Sequence, residues 1–101
     1  MESITRRRVV KVTKGPNRQG VFEARVEIYN PRTGTWVPKK TPSTFFPRGW
    51  TKQMVIDEIK GAYGNKYMLA GNTFEGIGPR GLRIRGHLNP DGSLESAYPL
   101  F

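Results

Sequence analysis

No cysteine occurs in this chain, and the one histidine is His87. The first absence excludes a disulfide framework, a thiolate metal site and a cysteine nucleophile. The second leaves a zinc site dependent on several carboxylates, and no spacing in the sequence supplies them. No metal and no cofactor is therefore expected. Long apolar runs are missing too: nothing approaches the ~20 residues of a membrane-spanning helix, and mean hydropathy is −0.59. The first residues, MESITRRR, lack the apolar stretch of a secretion signal. No basic amphipathic helix is visible, so no membrane partner is expected.

Acidic residues are scarce. Eight Asp and Glu stand against 17 Lys and Arg, which leaves a formal net charge of +9. In a chain of 101 residues this is one small domain with a modest core. The excess points to an anionic partner, either nucleic acid or an acidic protein.

What is present is mostly strand and turn. Residues 1–8 read as a flexible basic arm carrying Arg6, Arg7 and Arg8, or as an edge leading into a strand. Val9 to Thr13 reads as a short strand. Val21 to Tyr29 is the clearest strand, with Phe22, Ala24, Val26 and Ile28 on one face and Glu23, Arg25 and Glu27 on the other. Thr35 to Pro38 starts a third strand, and Lys39 to Trp50 reads as a loop. Thr51 suits a helix N-cap, with Trp50 and Val55 placed as a hydrophobic staple. The helix is predicted from Lys52 to Tyr63, stopped by Gly64 and Asn65. Phe45, Phe46 and Trp50 are expected in the core. Asn72 to Ile77 follows as a strand. Gly78-Pro79-Arg80-Gly81 is a hairpin turn and no phosphate loop, because Pro79 and Gly81 suit a turn and a strand follows. Strands, one helix and further strands predict an α+β fold, with one main helix on an antiparallel β-sheet.

The most informative stretch is Gly81 to Pro99, which reads as a β-hairpin around Asn89-Pro90-Asp91-Gly92. Pairing Leu88 with Ser93 would set Arg85 opposite Ser96 and Arg83 opposite Tyr98. One face would be Leu82, Ile84, Leu88 and Ala97. The other would gather Arg83, Arg85, Ser96 and Tyr98, a set suited to a phosphate beside a sugar or base. His87 falls on that polar face and reads as an ordinary exposed histidine. A slip of one residue would scatter the set.

Three patterns coincide along the chain: GVFEARVEI, WVPKKTPSTFFPRGWTKQMVIDEIKGAY and GNTFEGIGPRGLRIRGHLNPDGSLESAYP. Together they resemble the bacterial EndoU-type endoribonuclease domain, from about Gly20 to Phe101. The STFFP-tryptophan-helix run and the terminal SAYP are the specific parts. The resemblance implies RNA cleavage, often at uridine, leaving a 2′,3′-cyclic phosphate and a 5′-hydroxyl. It also implies a toxin carried at the end of a large exported bacterial protein, acting in the bacterial cytoplasm and neutralised by an immunity protein. The charge balance suggests that this immunity protein is acidic.

Carried over onto matching positions, Ser96 would contact uracil, and Tyr98 would position the ribose or stack on the base. The lysine that stabilises the phosphorane would be Lys40, with Lys39 as the alternative. With Arg83 and Arg85, these residues form the expected RNA-binding and catalytic set. The family's acid and base are two histidines placed ahead of the matched region. Met1 falls about where that segment would end, so the chain reads as the C-terminal lobe of such a domain. Two other readings stand beside it. One is a non-catalytic module that binds RNA or an immunity protein. The other is a small ribonuclease using Lys40, Arg83, Arg85 and Tyr98 without histidine.

Overall fold

The computed structural model describes residues 6–101. Within it, β1 is Arg7–Lys14, β2 Phe22–Asn30, β3 Thr35–Pro38, β4 Ser43–Phe45, α1 Lys52–Gly64, β5 Tyr67–Met68, β6 Thr73–Ile77, β7 Arg83–Leu88 and β8 Leu94–Pro99. The architecture is α+β with antiparallel strands and a single helix, in the predicted order. The strands form two sheets where the sequence suggested one. In the first, β2 pairs with β1 along one edge and with both β3 and β4 along the other. The second runs β5-β6-β7-β8.

Two short strands escape the sequence reading. β4 lies inside the expected loop, where Ser43 to Phe45 line up against Ala24 to Phe22. Phe45 then stacks on Phe22 at 5.2 Å between ring centroids. β5 has two residues, both exposed, and shows no alternation to read.

Of the two readings of residues 1–8, Arg7 and Arg8 take the second and enter a strand in place of a flexible arm. Residues 1–5 lie outside the described residues. Arg6 accepts a backbone hydrogen bond from Tyr29, and Arg7 and Arg8 begin β1 opposite Ile28 and Glu27. Arg8 Nε donates to Glu27 at 2.7 Å, and its guanidinium lies 4.3 Å above the Trp36 ring centroid. Cross-strand ion pairing and cation–π contact explain why a charge run becomes strand.

Helix α1 starts as its sequence dictates. Thr51 Oγ1 accepts from the Met54 amide at 3.1 Å, which satisfies one free donor of the first turn. Its end is tied down by Asn65, whose amide group donates to Gly61 O and Ile77 O and accepts from the Ile77 amide. Ala62 and, unexpectedly, Glu58 are its fully buried residues. The helix packs close on β6: a Cβ on Gly76 would strike the Ala62 carbonyl, and one on Gly78 would strike the Glu58 carboxylate.

The core holds Val21, Ala62, Leu82 and Ile84, with Phe46, Trp50 and Ala97 packed against it. The expected apolar face of the last hairpin supplies Leu82, Ile84 and Ala97 to this cluster. The sheets meet where Thr44 Oγ1 in β4 donates to the Pro99 carbonyl in β8 at 2.6 Å.

Candidate functional site

The site begins with the register of β7 and β8, which departs from the sequence expectation twice. Asn89 and not Leu88 closes the turn against Ser93, by an amide–carbonyl bond of 2.7 Å. Gly92 takes the positive φ of 88° that the tight turn demands. Asp91 accepts from the Ser93 amide and hydroxyl, and these bonds hold its carboxyl below the usual range. This first offset of one residue would turn the polar set to the opposite face. A second offset, a bulge at Glu95 between the Leu88–Leu94 and His87–Ser96 pairs, restores it. Arg85 thus faces Tyr98, and His87 faces Ser96. The grouping survives with different partners, and His87, already expected on this face, now pairs with Ser96.

Cross-strand pairing extends these residues into two rungs over the outer face of the second sheet. One rung is Tyr67, Glu75, Arg85 and Tyr98; its neighbour is Thr73, His87 and Ser96. Glu75 organises the first. It is 5% exposed, with Arg83 Nη2 at 3.0 Å from one carboxylate oxygen and Arg85 Nη2 at 2.8 Å from the other. The bond from Arg85 is the main reason its carboxyl sits below the ordinary value; burial opposes this, and Arg83 reinforces it. Glu75 in turn pushes the Arg85 guanidinium above the usual arginine value, with a smaller contribution from Tyr98. The two arginines therefore clamp an internal carboxylate, where the sequence suggested groups free for a phosphate. Glu75 was missed because a lone Glu in a TFEGI strand reads as solvated.

Tyr98, Ser96 and His87 form one wall of a cleft of about 620 Å³ between the two sheets. The other wall carries Arg7 from β1, Lys39, and Ser43 to Phe46. Tyr98 is half-buried on the same face as Arg85, and its ring lies 6.0 Å from that of His87. His87 Nδ1 is 3.1 Å from Thr73 Oγ1. Lys39 is half-buried, and its Nζ donates to Ser43 Oγ at 2.7 Å. Lys40 is exposed, and Lys40, Arg83 and Arg85 are all absent from the cleft lining. The structure therefore gathers Lys39, Ser96 and Tyr98 from the expected set, adds Arg7 and His87, and leaves Lys40, Arg83 and Arg85 outside. No acidic side chain among the described residues lines the cleft, which suits it to an anion.

Among the described residues, no group of three or more His, Cys, Asp or Glu is placed to hold a metal. No helix among them is long and apolar enough to cross a membrane.

A family model described as Bacterial EndoU nuclease matches residues 2–101. A Bacillus cereus protein named Toxin is 42% identical over 84 residues, covering 82% of this chain and 15% of the relative. The chain thus spans only a small part of that relative's length. No solved structure matches. A family match along nearly the whole sequence and a relative 42% identical over 82% of the chain agree: this chain belongs to the bacterial EndoU nuclease family.

Proposed function

We propose that the chain is part of an RNA endonuclease toxin domain whose substrate lies in the cleft between the two sheets. The observation that carries this is the meeting of Lys39 with Ser96 and Tyr98, distant from it in sequence, on one cleft that no described acidic residue lines. Cleavage by attack of the ribose 2′-hydroxyl on the adjacent phosphorus forms a 2′,3′-cyclic phosphate and releases the 5′-oxygen. Negative charge builds on the phosphorane oxygens, and a fixed cation there lowers the barrier. Lys39 is that cation. It is half-buried, oriented by Ser43 and faces the cleft, whereas Lys40 points its charge to solvent. Tyr98 packs against the ribose or base, and Ser96, beside it on the same wall, hydrogen-bonds uracil. Arg85 acts through Tyr98 and not on phosphate, since Glu75 holds its guanidinium.

The proton transfers are a separate matter. In the resemblance they belong to a histidine pair, and this chain carries one histidine. That observation favours a second reading, in which these 101 residues bind RNA but cleave it poorly by themselves. Losing each proton-transfer group costs roughly 10²–10⁴ in rate. The toxin reading also implies an immunity protein as partner, which the net charge of +9 predicts to be acidic. It implies delivery within a larger secreted protein and action in the bacterial cytoplasm.

The test is incubation with a uridine-containing oligoribonucleotide, with analysis of the product ends. Cyclic phosphate and 5′-hydroxyl ends at uridine, weakened more by Lys39→Ala than by Lys40→Ala, support the endonuclease reading. Binding of a non-cleavable 2′-deoxy analogue without cleavage of the ribo-oligonucleotide supports the second reading. Neither binding nor cleavage would overturn both.

A further inference from the structure

We propose that His87 is a phosphate-binding residue of the cleft, held by Thr73 through Nδ1 and presenting Nε2 to a phosphodiester of bound RNA. This rests on the reading of the cleft as an RNA site and adds a residue that the family resemblance does not assign. Three observations carry it. His87 lines the cleft beside Tyr98 and Ser96, opposite Arg7 and Lys39. The Thr73 hydroxyl, 3.1 Å from Nδ1 on the neighbouring strand, fixes the ring at one nitrogen. Nε2 has no hydrogen-bond partner among the described residues. A histidine held at one nitrogen and open at the other has its remaining donor oriented for a ligand.

The surroundings favour a phosphate over a carboxylate partner from the protein itself. On β6, Thr73 and Glu75 face this side, and Glu75 is neutralised by Arg83 and Arg85. On β7, Arg85 is the nearest charge; on β8, Tyr98 and Ser96 flank the ring. Glu95 is exposed at the bulge and does not line the cleft. Across the cleft stand Arg7 and Lys39. Among the described residues, the charges around His87 are thus cationic or already compensated, so an arriving anion stabilises the proton that makes Nε2–H a charged donor. Binding and protonation are then linked, and each strengthens the other by the same factor.

With a single histidine in the sequence, the imidazole Cε1–H proton gives one resonance and an unambiguous titration. The probe is the 2′-deoxy dinucleotide of uridine and adenosine, which cannot be cleaved and whose phosphodiester keeps one charge across the range. Deoxyuridine, without phosphate, is the control. The expected result is that the dinucleotide moves the His87 titration to higher pH and the nucleoside does not. Its affinity should fall about tenfold as His87 loses its proton. His87→Gln should remove this pH dependence, and Thr73→Val should reduce it, with folding checked by circular dichroism.

If the dinucleotide binds, loses affinity in Lys39→Ala, and yet leaves the His87 titration in place, the phosphate role of His87 is overturned and the cleft reading stands. If neither the dinucleotide nor a longer deoxy-oligonucleotide binds, the cleft reading fails, and this inference fails with it.

Discussion

At the scale of single residues, buried carboxylates do the most that the sequence conceals. Glu58 is fully buried on the helix, and its oxygens accept from the Arg80 amide at 2.9 Å and the Leu82 amide at 3.0 Å. It therefore stitches α1 to the turn that launches β7. Glu58→Ala leaves those amides unpaired, and about 3 kcal/mol of stability should be lost in urea unfolding. Gly78→Ala should also destabilise, by about 1–3 kcal/mol, because the new methyl group collides with that carboxylate. In the cleft, Tyr98→Ala should weaken binding of a uridine oligonucleotide by about 1–3 kcal/mol, the usual contribution of one base–aromatic stack. Lys39→Ala should lower the cleavage rate of an active domain by about 10²–10³, as loss of a group that stabilises transition-state charge does. An equal rate would remove Lys39 from the site.

At the scale of elements, the last hairpin and the helix behave differently. The helix was legible almost to the residue, because a cap, an apolar face and a Gly-Asn stop are local signals. Thr51→Ala should cost about 1 kcal/mol, measurable by thermal unfolding. The hairpin was legible as a hairpin but not in its register. A turn closed at Asn89 and a bulge at Glu95 each add one residue, and nothing local reports their sum. The rung on which Arg85 meets Tyr98 depends on both. It also gives the second sheet a pH response. A carboxyl whose folded value lies below its unfolded one contributes stability that is present above the unfolded value. That stability is lost as pH falls through the folded value. Glu75, lowered from the ordinary 4.5, meets this condition. Urea midpoints should therefore fall on acidification below about pH 5, and Glu75→Gln should flatten that fall.

At the scale of the whole molecule, a net charge of +9 should make RNA affinity fall steeply with salt. The slope on a single strand should be about −0.7 in log affinity per log salt for each phosphate neutralised. A flat salt response would remove phosphate contact from the binding. The sequence by itself determined a strongly basic chain without cysteine and predicted strands around one helix, because charge, residue type and periodicity are properties of the chain as written. The family pattern likewise marked Ser96 and Tyr98 from sequence. Tertiary structure decided which groups line the cleft. Arg83 and Arg85 look unpaired in the sequence and pair with Glu75 outside the cleft, while Lys39 and Lys40 look equivalent and only Lys39 lines the cleft. The physical reason is that a side chain's availability depends on its cross-strand and cross-sheet neighbours. Those are set by turn length, a bulge and the meeting of two sheets far apart along the chain.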